Sequence, residues 1–189
     1  PLQVQTGTTT ATGSIGGDVN VLTAANLVLN GSDIADGADV NNQGTITITG
    51  SDTIDNYVSS NGTLVANGAA NLTATGEFLL LDGSTVAADI TGDAISSGNV
   101  QLANTITGNL LVQAGGTTSQ FGNVSGNVGV ANGATLDSDG NIGGTLNNAG
   151  TAATSGQVDS VVNSGTLNHD GDIITALTNS GTVTLAVDD

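Results

Sequence analysis

The sequence predicts an all-β fold, a parallel β-solenoid of about eleven short coils stacked along one axis. Asn and Gly recur together at intervals of about 15 to 18 residues. Short runs of alternating β-branched residues follow these glycines, as in residues 45–49 and 182–187. Aromatic residues make up only 2% of the chain, so its core has to be thin and aliphatic, as in a narrow stack of sheets.

The first repeat element is Asn-x-Gly-Thr, which marks a turn followed by a strand. Its asparagines are Asn42, Asn148, Asn163 and Asn179, and its glycines are Gly44, Gly150, Gly165 and Gly181. Gly accepts a sharp turn without steric cost, and Asn tolerates left-handed conformations. Stacked coils would place the three C-terminal asparagines in one file, where side-chain amides can bond along the stack.

The second element is Gly, a polar residue and an aliphatic residue, as in Gly126-Asn127-Val128 and Gly140-Asn141-Ile142. In the C-terminal third the two elements alternate, so each unit is a turn, a strand, a second turn and a second strand. One unit holds only about four inward aliphatic residues, so neighbouring units must stack to bury them. We expect one domain over residues 1–189, with less regular coils in 1–120 and coils of 15–17 residues in 121–189.

Two segments of the less regular half carry their own expectations. Residues 78–81 (FLLL) predict a fully buried strand, and residues 34–39 predict a loop or a wider coil. Disorder is disfavoured because Val, Ile and Leu recur throughout the chain. A β-sandwich would need longer antiparallel strands and a more varied core, and a propeller would need a repeat of about 40 residues with an aromatic signature.

The charge of the chain restricts its partners. It has 17 acidic residues and no Lys or Arg. Nucleic acid and anionic membrane surfaces are excluded as partners, because nothing in the chain can neutralise phosphates. Direct membrane insertion is not expected either, since no run of 18 apolar residues occurs. The carboxylates need solvent cations, which favours a salty or calcium-containing environment outside the cell.

Calcium is the one cofactor that the sequence suggests. The candidate ligands are Asp137, Asp139, Asp170 and Asp172, which concentrate oxygen ligands around two Gly turns. Neither turn has the bidentate Glu of an EF-hand, and solvated turns are the competing interpretation. The coil alignment puts Asp139, Ser155 and Asp170 in one file, with the two carboxylates about 10 Å apart, too far for shared ligation.

Catalysis is not expected. The chain has one His, His169, and no Cys or Lys to serve as a nucleophile or base. His169 lies in the segment Asn168-His169-Asp170-Gly171, which predicts a solvent-exposed turn. The Asp residues are scattered among turns and do not form the converging pair that glycosidases use.

Three tandem phrases carry a resemblance to a known family. Residues 146–151 (LNNAGT), 162–167 (VNSGTL) and 177–183 (LTNSGTV) resemble the passenger regions of bacterial autotransporter adhesins and filamentous-haemagglutinin-like repeats. The resemblance covers the C-terminal half well and the N-terminal half loosely, and the lack of Lys and Arg departs from it. It implies a β-helix displayed outside the outer membrane of a bacterium, for adhesion or cell aggregation.

This resemblance predicts an extracellular rod at the bacterial cell surface. Its expected partners are neighbouring coils of a longer chain, further copies of itself, or host or biofilm glycans. Tyr57 and Phe121 are too few to define an aromatic glycan platform. The main alternative is a filament or surface-layer subunit that assembles head to tail, with calcium as an aid. A carbohydrate-degrading enzyme is a distant third.

Overall fold

The computed structural model describes residues 1–186, which form a parallel β-solenoid of about ten turns. Two sheets hold eleven strands each and a third holds four. The predicted fold class is therefore confirmed. Residues 1–186 contain no helix, so none is long and apolar enough to cross a membrane.

Three sheets form the three sides of the solenoid. Sheet 1 contains β1 (Leu2–Val4), β3 (Val19–Val21), β5 (Asp39–Asn42), β8 (Asn56–Ser59), β11 (Phe78–Leu81), β14 (Ala94–Ser97), β17 (Leu110–Val112), β19 (Val128–Val130), β21 (Ile142–Asn148), β23 (Val158–Asn163) and β25 (Ile173–Asn179). Sheet 2 contains β2 (Gly7–Ala11), β4 (Ala25–Leu29), β6 (Thr45–Ile48), β9 (Thr63–Ala66), β12 (Ser84–Ala87), β15 (Asn99–Leu102), β18 (Thr117–Gln120), β20 (Thr135–Ser138), β22 (Thr151–Thr154), β24 (Thr166–His169) and β26 (Thr182–Leu185). Sheet 3 contains β7 (Ser51–Ile54), β10 (Asn71–Ala74), β13 (Asp89–Thr91) and β16 (Ile106–Thr107).

The chain visits sheets 1, 2 and 3 in that order in each full coil. Isolated bridges extend sheet 3 at both ends, for example between Ile15 and Ile34 and between Val124 and Ile142. In the last coils the third side and sheet 1 merge into the long strands β21, β23 and β25, with a register shift where they join. Coil length varies, from 21 residues between Val19 and Val40 to 15 between Asn148 and Asn163.

The core is a set of files of aliphatic side chains that run along the axis. On the third side one file continues from Leu72 through Ile90, Ile106, Val124, Ile142 and Val158, all of them buried. Strand alternation explains the pattern, because every second side chain points into the solenoid. The widest inward groups are Tyr57 and Phe78, whose rings stack in adjacent coils at 4.5 Å between centroids. The predicted thin aliphatic core is thus present, with one aromatic pair inside it.

The Gly-polar-aliphatic element has a structural explanation at the corner between sheet 2 and the third side. Gly122, Gly140, Gly156 and Gly171 stack on one another, and a Cβ on any of the last three would overlap the carbonyl oxygen of the glycine before it. The polar residue after the glycine bonds to the next coil: Asn141 Oδ1 accepts the backbone N–H of Gln157 at 2.8 Å. The corner therefore needs a glycine for space and a side-chain oxygen for the unpaired backbone donor.

Residues 78–81 are half-buried, which corrects the expectation of a fully buried strand. Phe78 and Leu80 point inward and are buried, whereas Leu79 and Leu81 point outward and are partly exposed. The outer side of sheet 1 faces solvent, so this strand obeys the alternation despite its uniform composition. Residues 34–39 form part of the wider 21-residue coil, as expected: Ile34 pairs with Ile15, and Gly37 makes a turn with φ of 77°.

Candidate functional site

The C-terminal asparagines form a ladder inside the solenoid. Asn148 pairs with Asn163 and Asn163 with Asn179 in the register of sheet 1. The Nδ2 atom of Asn148 donates to Asn163 Oδ1 at 2.7 Å, and that of Asn163 donates to Asn179 Oδ1 at 2.8 Å. Asn148 and Asn163 are buried. Each amide also donates to the backbone carbonyl of Thr166 or Thr182 in the next coil. These are the first residues of β24 and β26, so the ladder connects sheet 1 to the start of sheet 2.

Each asparagine of the ladder also shapes its own turn. The backbone N–H groups of Gly150 and Gly181 donate to the side-chain oxygens of Asn148 and Asn179, at 3.2 and 3.0 Å. The glycines Gly150, Gly165 and Gly181 lie above one another, so a Cβ on Gly165 or Gly181 would overlap the coil before it. The repeat Asn-x-Gly therefore serves packing and turn formation together.

Asn42 and Gly44 form the same kind of turn, but no asparagine lies beside Asn42 in the next coil to extend a ladder. The Gly44 N–H donates to Asn42 Oδ1 at 3.1 Å, and Asn42 Nδ2 donates to the hydroxyl of Tyr57 at 3.0 Å in the next coil. Burial raises the pKa of Tyr57 to about 12, against the opposing effect of the hydrogen bond from Asn42. Tyr57 is therefore a neutral core group and is not available as a glycan platform. Phe121, by contrast, is 55% exposed.

The candidate calcium ligands do not converge. Ser155 donates to Asp139 Oδ1 at 3.0 Å, and Asp170 follows Ser155 in the same file, which matches the predicted alignment. Asp172 accepts a long bond of 3.4 Å from Gln157, and Asp137 points outward from β20. Within residues 1–186 no group of three or more His, Cys, Asp or Glu side chains is placed to hold a metal ion. Calcium binding stays a prediction, and it would have to use single carboxylates with hydroxyl and backbone oxygens.

The prediction that His169 lies in a solvent-exposed turn is wrong. It is not an exposed turn residue; it ends β24, points inward and is buried. Its Nδ1 atom lies 2.7 Å from the hydroxyl oxygen of Thr154, its partner in the preceding coil. The register with Thr154 sets this orientation, since a shift of one residue would turn the side chain outward.

His169 belongs to a buried polar file that sequence analysis did not find. In sheet 2 the inward file runs from Leu102 through Gln120, Ser138, Thr154 and His169. Ser138 donates to Gln120, but Gln120 Nε2 and His169 Nε2 are buried without a hydrogen-bond partner. The only signal in the sequence is the change from Leu to polar residues at one step of the repeat. This file has no nucleophile paired with a base and an adjacent acid, so it does not form a catalytic triad.

Asp52 is a second buried polar group that the sequence did not reveal. It occupies the aliphatic file of sheet 3 opposite Leu72 and accepts the backbone N–H of Ser32 at 2.5 Å. Its other oxygen, Oδ2, is buried without a partner. Burial raises the pKa of Asp52, against the opposing hydrogen bonds from the Ser32 and Gly50 backbone.

The outer side of sheet 1 carries an apolar file. Val58, Leu79, Ile95 and Leu111 point outward in four successive coils and are paired in register. Leu111 is 43% exposed, and the other three are half-buried. The sequence contains a signal for this outward apolar file in runs such as FLLL, where the outward positions are as apolar as the inward ones.

No protein-family model matches the chain, and neither a curated protein nor a solved structure is significantly similar to it. The β-helix repeat architecture is shown by the register of the strands, and the resemblance to adhesin passenger regions consists of the tandem phrases in the sequence alone.

Proposed function

We propose that the chain is an extracellular structural and adhesive rod of a bacterial surface or secreted protein, and that it mediates adhesion or cell aggregation without catalysis. The observation that carries the proposal is a continuous parallel stack whose two long sheets run through all its coils. Each coil contacts its neighbours only, so length is gained by adding repeats, as a spacer or display rod requires.

The composition of the chain supports display outside the cell. With 17 acidic residues and no Lys or Arg, it has no cleavage site for trypsin-like proteases and depends on external cations for charge balance. The single His is buried against Thr154, which supports a role without acid–base catalysis. Glycans of a host or biofilm are the adhesive target that we propose.

Two measurements test this proposal. Antibodies raised against the chain should label intact cells of its source, and an external protease that does not require Lys or Arg should remove the label. Beads coated with the folded chain should aggregate or bind a glycan array, while beads coated with the heat-unfolded chain should not. Labelling only after the cells are lysed would contradict the location, and equal behaviour of folded and unfolded chains would contradict the adhesive role.

A filament or surface-layer subunit is the second candidate, and the coil at residues 173–186 is the surface through which its copies would stack. Leu177 and Leu185 are 39% and 49% exposed there, although their counterparts one coil earlier, Val161 and His169, are buried. A further coil would cover these groups, whether it came from the same chain or from a second molecule. Head-to-tail contact between molecules does not close and would give fibres.

Electron microscopy of the purified chain distinguishes the two candidates. A simple rod should appear as discrete particles of roughly 50 Å, from about ten spacings of 4.8 Å. Threads that disappear in Leu177→Asp but persist in Val162→Asp would support the filament, because Val162 is also exposed but points outward from the side of the rod. Calorimetry with millimolar calcium tests the proposed aid to assembly, with Asp139→Asn and Asp170→Asn as the variants expected to lose any binding heat.

A further inference from the structure

The outer side of sheet 1 combines an apolar file with an acidic one. Two residues before Leu79 lies Glu77, and two residues before Ile95 lies Asp93. Leu79 and Ile95 are paired in register, so the two acids also occupy adjacent coils. All four side chains are at least partly exposed. Together with Leu111, they define what we call the acidic–apolar surface.

The acidic file is unusual in the way it stacks its charges. Other carboxylates are followed in the next coil by a neutral donor: Asp139 by the Ser155 hydroxyl and Asp159 by the Thr175 hydroxyl. Asp93 also has such a donor on its far side, since the backbone and side-chain N–H groups of Asn109 donate to its Oδ1 at 2.8 and 3.0 Å. Glu77 and Asp93 instead place like charges in coils about 4.8 Å apart, an arrangement that is destabilising without a counter-charge. In the opposite direction the file continues from Glu77 to the neutral Asn56, whose Oδ1 accepts the Glu77 N–H at 3.1 Å, and then to Asp39 and Asp18 in the two coils before that.

The apolar file beside it ends in a hollow. Leu111 is followed by Gly129, whose missing side chain leaves a groove of about 420 Å³ lined by Asp93, Ile95, Leu111 and Asn147 among others. A Cβ on Gly129 would lie 3.1 Å from a Leu111 methyl carbon, so the hollow is bounded directly by that side chain. Leu111 and three half-buried aliphatic side chains thus line up over four coils, and contiguous apolar patches of this kind are typical of interaction sites.

We propose that the acidic–apolar surface binds a cationic amphipathic polypeptide segment. Aliphatic side chains of the segment would pack against Leu79, Ile95 and Leu111. Its Lys or Arg side chains would pair with Glu77 and Asp93. Charge decides the class of occupant. A second copy of this chain brings 17 more acidic residues and no Lys or Arg, so it cannot supply the counter-charge. The apolar file spans about 14 Å over three coil spacings, which an amphipathic helix of about three turns would cover.

This inference does not depend on where the rod is displayed. The test uses the full chain and a labelled helical peptide of Leu and Lys, about 14 residues long and so about 21 Å. A matched peptide has Glu in place of Lys. Fluorescence polarisation at about 0.15 M salt, where the Debye length is about 8 Å, limits long-range attraction. The Leu/Lys peptide should bind and the Leu/Glu peptide should not.

Variants locate the binding on the surface. Ile95→Ser with Leu111→Ser, and separately Glu77→Gln with Asp93→Asn, should each weaken binding by roughly tenfold, as for anchors of an interface. The control is Asp137→Asn with Asp139→Asn, which removes the same charge from the outer side of sheet 2 and should leave the affinity unchanged. All the substituted side chains are at least partly exposed, and circular dichroism verifies that each variant folds.

Three results would overturn the proposal. Equal weakening by the control pair would mean diffuse attraction to an acidic protein. Equal binding of the Leu/Glu peptide would remove the role of Glu77 and Asp93. Dimers of the chain that dissociate in the Leu111→Ser variant would assign the surface to a second copy instead.

Discussion

Replacing Asn148 by Ala should destabilise the solenoid, whereas the same change at Asn147 should not. Asn148 is buried, and its side chain makes three hydrogen bonds: to Asn163 Oδ1 at 2.7 Å, to the Thr166 carbonyl at 2.8 Å and from the Gly150 N–H at 3.2 Å. A net contribution of about 1 kcal/mol per bond predicts a loss of about 2–4 kcal/mol in the free energy of unfolding. Asn147 is the adjacent residue on the same strand and points outward.

Urea unfolding followed by circular dichroism measures this difference, with Asn147→Ala as the matched control expected to lie within about 0.5 kcal/mol of the unaltered chain. Hydrogen exchange adds a local measurement, because the Gly150 N–H loses its acceptor in Asn148→Ala and should exchange faster. If the two variants unfold at the same urea concentration, the amide ladder does not stabilise the stack.

Three further changes test other parts of the core. The pKa of Asp52 is higher in the folded state than in the unfolded state, so the folded chain binds the proton more tightly. Proton binding at Asp52 therefore stabilises the fold. This stabilisation is complete below the unfolded pKa near 3.8 and is lost as the pH rises through the folded pKa. Asp52→Asn should therefore raise stability at neutral pH and flatten that part of the profile in urea titrations; an unchanged profile would exclude Asp52 as its source. Gly140→Ala should cost about 1–3 kcal/mol or more, because its Cβ would overlap the coil before it, while Gly16→Ala, with open space around it, should cost far less in thermal unfolding. His169→Leu should leave stability unchanged or raise it, because it removes a buried ring nitrogen without a partner, and a loss of more than about 2 kcal/mol would show that the bond to Thr154 outweighs that penalty.

The sequence predicted the features that depend on spacing. The interval between Asn148, Asn163 and Asn179 matches the coil length, so the alignment of the repeats is also the register of the strands. The same holds for Asp139 and Ser155, which the alignment placed together and which share a hydrogen bond. Where the repeat is regular, sequence period and spatial period are the same quantity.

Orientation was harder to predict than alignment. His169 stands before Asp170 and Gly171, a combination typical of turns, yet it is the last inward residue of its strand. The turn begins one residue later than local composition suggests, and a shift of one residue exchanges inside for outside. Likewise the aliphatic run at 78–81 indicated burial on both sides, because composition alone does not show that the outer side of sheet 1 is open to solvent.

Several carboxylates of this chain accept hydrogen bonds from the next coil, which helps it to stack without Lys or Arg. Asp89 accepts the backbone N–H of Thr105 at 3.0 Å, and Asp159 accepts the hydroxyl of Thr175 at 2.7 Å. These carboxylate oxygens accept hydrogen bonds from N–H and O–H groups that would otherwise be unpaired at the corners. Each such acid therefore stabilises the corner where it lies, although it adds a negative charge there. Glu77 differs in this respect: its neighbour one coil further along is Asp93, which has no proton to donate when ionised. Glu77 therefore faces a second carboxylate in the next coil, and it lies beside the apolar file of sheet 1.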